Sequence, residues 1–311
     1  MHTHFHPGMK ALRTAIPYIR AFEGRTFVVK LGGKLCDPGS ALDNLAEQVA
    51  LLTTVGIRIV LVHGGGDQLS AAEKKMGIEP RFVVGRRVTD APTLELAKMV
   101  FAGTISTNVV AALRKYDAAA VGLSGVDGEL ITAVRRPPRL IDDPESGQRR
   151  EVDFGHVGDI MAVRPSVLEN LLANRFVPVV ASLAADGQGS VFNVNADTIA
   201  ARIAIELKAV KYILLTTVDG VMLDLNDHSS LQTHLDLDDL DSLVQRGVIH
   251  GGMLPKLAAC GDALRGGVPR VHVVNGLTPD ALLAEVFTNE GCGTLIVARR
   301  RGASTAQPAL T

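Results

Sequence analysis

Cysteine is scarce in this chain. There are three, Cys36, Cys260 and Cys292, far apart in sequence. They make neither a CxxC pair nor a disulfide framework, which fits a reducing compartment and a cytoplasmic protein. No apolar run reaches the ~20 residues of a membrane span, and the N-terminus lacks a signal-peptide pattern, so no membrane partner is expected. Neither sign of charge dominates: 32 Lys and Arg face 33 Asp and Glu. Aromatics are 4% of the chain and do not cluster with basic residues, so nucleic acid is not expected either. The runs Arg135-Arg136 and Arg299-Arg300-Arg301 read as solvated loop and tail charge. No acidic, His or Cys cluster has metal-ligand spacing, so no protein-held metal is expected. His2, His4 and His6 read as a frayed start. A P-loop is absent, and no GxGxxG follows the first strand, which argues against a dinucleotide fold.

What is present is an apolar chain of 311 residues, 47% hydrophobic, large enough for a sizeable core. Leu12, Ile16, Ile19 and Phe22 recur at helical spacing, predicting a helix over 9–23 that Pro17 would kink or divide. Strands and helices then alternate. Strands are predicted over 26–31, 57–62, 118–123, 176–182, 211–216, 270–274 and 293–297. Helices are predicted over 40–54, 67–76, 92–115, 196–207, 237–246, 254–266 and 279–286. The Gly-, Pro- and charge-rich stretch 125–160 reads as hairpins, with turns at Pro137-Pro138 and Asp142-Asp143-Pro144. This alternation predicts an α/β fold, an αβα sandwich around one mostly parallel sheet.

Two apolar runs end on adjacent glycines: Val28-Val29-Lys30-Leu31-Gly32-Gly33 and Val60-Leu61-Val62-His63-Gly64-Gly65-Gly66. A buried strand feeding such a turn presents backbone N–H groups to an anion, and Lys30 adds a positive charge beside them. Asn193-Val194-Asn195-Ala196-Asp197 opens a helix; Asn195 either caps it or belongs to a site. Gly251-Gly252-Met253-Leu254-Pro255-Lys256 puts a lysine in a helix's first turn, where it opposes the macrodipole unless an anion is near. Arg87, in Arg86-Arg87-Val88-Thr89-Asp90, is a candidate two-pronged clamp for a carboxylate. Thr217-Val218-Asp219-Gly220-Val221 follows an apolar strand and forms either a nucleotide-lining loop or a turn. There is no Ser/His/Asp set. Lysines, an arginine and glycine amides suit phosphoryl transfer, where catalysis is positioning and charge neutralisation.

These motifs, in this order, resemble the amino-acid kinase superfamily and, within it, the acetylglutamate kinases. The resemblance runs from Thr26 to Ala298 and also includes Gly155-His156-Val157-Gly158 and Gly293-Thr294-Leu295-Ile296. It implies the carbamate kinase-like fold, and transfer of phosphoryl from ATP, with Mg2+ carried on its phosphates, to the γ-carboxylate of N-acetyl-L-glutamate. By motif, it implies Lys30 and Lys256 as neutralising lysines, Asp197 as their organiser, and Gly32, Gly33 and Gly65 as amide donors to the phosphoryl group. It implies that Gly65, Gly66, Arg87 and Asn193 bind the acceptor. It places Thr217, Val218, Asp219, Gly220, Val221, Met222, Val248, Ile249 and His250 around the nucleotide. It divides 25–299 into an acceptor-binding lobe to about 185 and a nucleotide-binding lobe after it, with 300–311 a disordered tail.

The helix within 1–24 resembles the extra helix of arginine-inhibited members, which interlaces dimers into a hexameric ring. Tyr18, His272, Glu285 and Gly291 are then the expected arginine contacts, with Glu285 facing the guanidinium. Leu31-Gly32-Gly33-Lys34 departs from the Tyr-Gly-Gly-Asn common in that group, and Asp67 stands where proline is common. Two other functions compete: a kinase for a carrier-protein-linked aminoadipate or glutamate, and a non-catalytic arginine sensor. Intact Lys30, Asp197 and Lys256 argue against the second.

Overall fold

A computed structural model describes residues 7–142, 149–224, 227–249, 252–288 and 291–299. The chain opens with α1 (Pro7–Phe22), which runs through Pro17 as one helix. Then come β1 (Thr26–Leu31), a short 3-10 turn Gly33–Cys36, α2 (Ser40–Thr54), β2 (Arg58–His63) and α3 (Gly66–Lys75). A two-strand hairpin, β3 (Phe82–Val83) and β4 (Arg86–Arg87), leads to α4 (Ala91–Ala97). A widened, π-helical stretch, Lys98–Ile105, joins α4 to α5 (Ser106–Lys115). After β5 (Ala120–Ser124) come β6 (Ile131–Arg135), β7 (Arg139–Asp142), β8 (Arg149–Val152) and β9 (Gly158–Val163). Next are α6 (Ser166–Ala173), β10 (Val177–Ala181), β11 (Leu183–Ala185), β12 (Val191–Asn193) and α7 (Ala196–Glu206). The last part holds β13 (Lys211–Thr216), β14 (His234–Asp236), α8 (Leu237–Gln245), α9 (Met253–Arg265), β15 (Val271–Asn275), α10 (Ala281–Phe287) and β16 (Thr294–Val297).

Among the described residues the main sheet has eight strands in the order β14-β16-β15-β13-β1-β2-β10-β5. Its pairs are parallel except β15 with β16. The central strands are nearly continuous apolar runs because both sheet faces are covered. Alternation along β1 divides the core. Val28 joins Val60, Val180, Tyr212 and Leu214 beneath α7 and α9, while Phe27, Val29 and Leu31 join Ile59, Leu61 and Ile213 against α2, α5 and α10. Lys30 shares the parity of Val28, so it faces α7.

The chain passes from β1 to β2 on one flank and from β13 to β15 on the other. The sheet's direction of growth therefore reverses between β1 and β13, the place where an open α/β sheet leaves a crevice. Beside this edge lie a smaller sheet, β12-β11-β6-β9, and the hairpins β3–β4 and β7–β8. Val88, Val152, Phe154 and Val157 pack the two hairpins together with Val83 and Ile141.

The sequence-based elements fall within a few residues of the observed ones, with exceptions. Helix α6 and the short strands β3, β4, β11, β12 and β14 were not expected. The Ala91–Lys115 run is, by length and composition, apolar enough to cross a membrane, contrary to the sequence reading. In this fold Leu94, Ala97, Val100, Phe101, Ile105, Val109 and Leu113 bury one side of it against the sheet. The expected tail 300–311 and the turn residues Asp143 and Pro144 lie outside the described residues.

Candidate active site

Residues Leu31 and His63 are neighbours in register, so the glycine turns after β1 and β2 emerge side by side at the carboxyl edge of the sheet. The first turn of α7 closes over them. Asp197 there is buried and pairs with Lys30 through Oδ1 at 2.8 Å and with Lys256 through Oδ2 at 3.5 Å. Burial alone would raise the Asp197 carboxyl, but the two ammonium groups outweigh it and hold the carboxyl below its ordinary range. Burial, and then the neighbouring Lys30, lower the Lys256 ammonium, although Asp197 partly offsets them. The phenol of Tyr212, buried under α7, donates to the Asp197 carbonyl at 3.1 Å and fixes this turn from below. Asn195 takes its capping alternative: its Oδ1 accepts from Thr198 N at 3.0 Å.

The glycine turns differ in what they can offer. The Gly32 amide donates to the Leu215 carbonyl at 3.0 Å, so the expectation that it serves a phosphoryl group is corrected: that donor is already used to hold β1 to β13. Gly33 opens the 3-10 turn, Gly65 caps α3 and Gly66 opens it, with no side chain capping either element. The first amides of a helix have no partner within it, so such an end can receive an anion. Gln68 braces the first turn, donating to the Gly33 carbonyl at 2.7 Å and to Asp37 at 2.8 Å. A Cβ on Gly65 would lie 2.3 Å from Ile105 Cδ1 and 2.9 Å from the Phe101 ring, so only glycine fits. Lys34 is exposed.

Arg87 is more committed than the sequence suggests. Its guanidinium pairs with buried Glu73 and donates to the Gly66 carbonyl at 2.8 Å and Ser70 Oγ at 2.6 Å, over the Phe82 ring. Both Nη groups are therefore engaged by the protein in this structure. Sequence reasoning missed Glu73, although a signal existed: Glu73 lies four residues after buried Leu69, on the inner stripe of α3. Thr93 Oγ1 also donates to Glu73, at 2.9 Å. Asp90 caps α4 by accepting from Thr93 N. Asn193 donates to Thr89 Oγ1 at 3.1 Å, and its backbone N–H donates to His156 O at 2.9 Å. Gly155 lies so close to Thr89 O that a Cβ would sit 2.3 Å from it. The motif around Gly155 thus builds the wall that carries Asn193.

In the loop after β13, Thr217 is exposed, and Val218 and Asp219 are partly so. Asp219 bridges Asn275 at 2.8 Å and His228 at 2.7 Å. Gly220 is buried against Thr294, whose Oγ1 accepts from Val221 N at 2.8 Å. Val221, Met222 and Ile249 are buried, and Val221 and Ile249 belong to the core. They pack beneath the loop that carries Thr217, Val218 and Asp219. Val248 packs against that core, and His250 lies outside the described residues.

A second cluster forms behind the sheet. Glu285 Oε1 accepts from His272 Nδ1 at 2.6 Å, and Oε2 from Cys292 N at 2.9 Å. Burial lowers the His272 pKa, so a neutral ring donates to the carboxylate. A Cβ on Gly291 would lie 2.9 Å from Glu285 Oε2. His272, Glu285 and Gly291 thus come together, while Glu285 is turned toward its own chain. Tyr18 is on α1, which packs against α10, the helix that carries Glu285.

Chemically, the site offers two ammonium groups on one carboxylate beside uncapped helix ends, a set suited to polyphosphate. Among the described residues no three His, Cys, Asp or Glu side chains gather to hold a metal. The amino acid kinase family profile matches residues 25–275. The acetylglutamate kinase of Myxococcus xanthus is 46% identical, covering 92% of this chain and 93% of that protein. The acetylglutamate kinase of Methanothermobacter thermautotrophicus is 40% identical, covering 91% and 96%. Among solved structures, the N-acetylglutamate synthase of Neisseria gonorrhoeae superposes with a TM-score of 0.79 at 30% identity over 95% of this chain, which spans 65% of the synthase. Giardia carbamate kinase, at 17% identity and a TM-score of 0.61, shares the fold. The chain belongs to the amino acid kinase family, in its acetylglutamate kinase branch, and is a kinase.

Proposed function

We propose that the chain transfers the γ-phosphoryl group of ATP to the side-chain carboxylate of N-acetyl-L-glutamate, the second step of arginine biosynthesis. The observation that carries this reading is Asp197 holding Lys30 and Lys256 beside two glycine turns. ATP supplies the phosphoryl group, with magnesium on its phosphates. A carboxylate oxygen of the acceptor attacks phosphorus, the bond to the bridging oxygen breaks, and ADP leaves. The acceptor is already ionised at neutral pH, so no protein base is needed. Lys30 and Lys256 neutralise the charge on the group in flight, and the Gly33 and Gly65 amides receive its oxygens. Gly66, Asn193 and Arg87 hold the acceptor, and Arg87 exchanges part of its present bonding to do so. Thr217, Val218 and Asp219 border the nucleotide. The acceptor lies over the flank built before residue 185, and the nucleotide over the flank built after it. Such a biosynthetic enzyme works in the cytoplasm.

ADP release measured with acetylglutamate, aspartate, glutamate, UMP and a carrier-linked aminoadipate tests the assignment. Acetylglutamate is expected to give the highest kcat/KM. Lys30→Ala and Lys256→Ala are expected to lose roughly 10²-fold or more, mainly in kcat. Unchanged rates in both variants would remove the site assignment.

Arginine inhibition of a hexameric ring, a trimer of dimers, completes the proposal. Its support is a physical link: Phe22 of α1 lies 5.2 Å from the Lys211 ammonium, which donates to the Glu285 carbonyl at 3.2 Å. The similar synthase from Neisseria gonorrhoeae is described in complex with L-arginine. A guanidinium would use the second lone pair on each Glu285 oxygen.

A further inference from the structure

We infer that His63 is a positioning residue for phosphoryl transfer: its Nδ1–H fixes the Gly64 carbonyl and so aims the Gly65 amide. The inference rests on the role proposed above for that amide. His63 ends β2 and is fully buried. Its Nδ1 lies 2.9 Å from the Gly64 carbonyl oxygen. A carbonyl can only accept, so Nδ1 carries the proton. The other nitrogen, Nε2, is buried without a partner. A proton there would be buried and unsatisfied, so both nitrogens favour one tautomer. Burial also pushes the ring's pKa down to about 4, which keeps it neutral at working pH.

The bond matters because of what it touches. The peptide between Gly64 and Gly65 has no side chain on either flank, so its plane turns more freely than other peptide planes. Ala196 Cβ would meet a Cβ on Gly64 at 3.4 Å, and Phe101 and Ile105 press on the Cα of Gly65. These contacts fix where the two Cα atoms lie, not how the plane between them is turned. The described peptide bonds are trans, so the Gly64 C=O and the Gly65 N–H point in opposite directions. Holding the carbonyl therefore sets the amide. An apolar residue would complete β2 without an unsatisfied nitrogen, so packing does not account for the histidine.

Asparagine and glutamine separate the two ring nitrogens, because the Asn amide overlies Nδ1 and the Gln amide overlies Nε2. His63→Asn is expected to keep kcat within about 3-fold of the parent. His63→Gln is expected to lose roughly 10²-fold in kcat with little change in the KM for ATP. Both are compared at matched folded fraction, read from thermal unfolding. Equal activity in the two variants, or a more active Gln variant, would overturn the inference. A second measurement needs no variant at position 63. The ¹⁵N shifts and couplings of the non-titrating imidazoles of the unaltered protein, with the His272 signal identified through His272→Asn, report the tautomer. An Nδ1–H tautomer is expected at His63, and an Nε2–H tautomer would sink the proposal. Because the tautomer does not depend on turnover, it stays informative if acetylglutamate proves not to be the acceptor. Lack of ADP release by the parent would count against the function instead.

Discussion

Asp197, Glu285 and His63 are all buried and titratable, and their surroundings treat them differently. Asp197 sits between two ammonium groups, and Glu285 accepts from His272 and from a backbone N–H. Despite the penalty of burial, both carboxyls end below their ordinary range, Glu285 at about 2. The stability they contribute is present above the unfolded carboxyl pKa and is lost only as pH falls through the lower folded value. Neither weakens the fold in mildly acidic buffer. His63 behaves differently. Burial lowers it from 6.5 to about 4, so the unfolded chain binds its proton first as pH falls. Its contribution is complete above pH 6.5 and is lost progressively toward pH 4. At pH 5.5 the loss from this residue is on the order of 1 kcal/mol. Urea unfolding at pH 7.5 and 5.5 is expected to show that loss in the parent. In His63→Asn the difference between the two pH values should shrink by a similar amount. His272, lowered in the same direction, supplies a separate part of the drop that this substitution leaves in place.

The glycine turn after β2 works only because a second element is shaped to meet it. The stretch between α4 and α5 is wound as a π-helix, and Phe101 and Ile105, four residues apart, face the Gly65 Cα. Gly65→Ala would put a methyl group 2.3 Å from Ile105 Cδ1. Overpacking of this kind costs about 1–3 kcal/mol. The substitution is expected to lower the melting temperature and reduce kcat/KM. Adding Ile105→Ala should restore part of kcat/KM, since it removes the nearest atom struck and leaves the Phe101 ring at 2.9 Å, while the lost core side chain keeps the melting temperature low. A double variant with no more kcat/KM than Gly65→Ala alone would show that the wall is not what excludes a side chain.

This pairing also marks the limit of what the sequence discloses. The strands that carry Lys30 and His63 were legible because a strand buried on both faces is a nearly unbroken apolar run. Asp197 between two lysines was legible through the ordered motifs. The engaged state of Arg87 was not, because its partner Glu73 belongs to another helix and meets it only in the fold. Nor was the use of the Gly32 amide by Leu215, a backbone bond that leaves no mark in side-chain pattern. Short pieces such as α6 and β14 fall below the length at which periodicity carries a signal.

At the scale of the whole molecule, α1 is the element the kinase fold does not need. Phe22 anchors it, packing edge-on to Phe27 at 5.2 Å and beneath the Lys211 ammonium. Further back, Met9, Leu12 and Ile16 form one stripe that stays 49%, 49% and 36% exposed. An apolar stripe on a helix docked at one end suits a second copy of the chain. The same helix reaches the Glu285 cluster through Lys211, a link by which the assembly proposed above would act on that cluster. Deleting residues 1–24 is expected to give a smaller particle by light scattering, with kcat for acetylglutamate within a few-fold of the parent, because Lys30, Asp197 and Lys256 are untouched. Millimolar arginine should slow the full-length enzyme and leave the shortened one unaffected. Leu12→Asp with Ile16→Asp keeps Phe22 in place and should reproduce the smaller particle, separating the stripe from the anchor. A shortened enzyme that keeps the parent's size, or a full-length enzyme indifferent to arginine, would remove α1 from assembly or the Glu285 cluster from regulation, respectively.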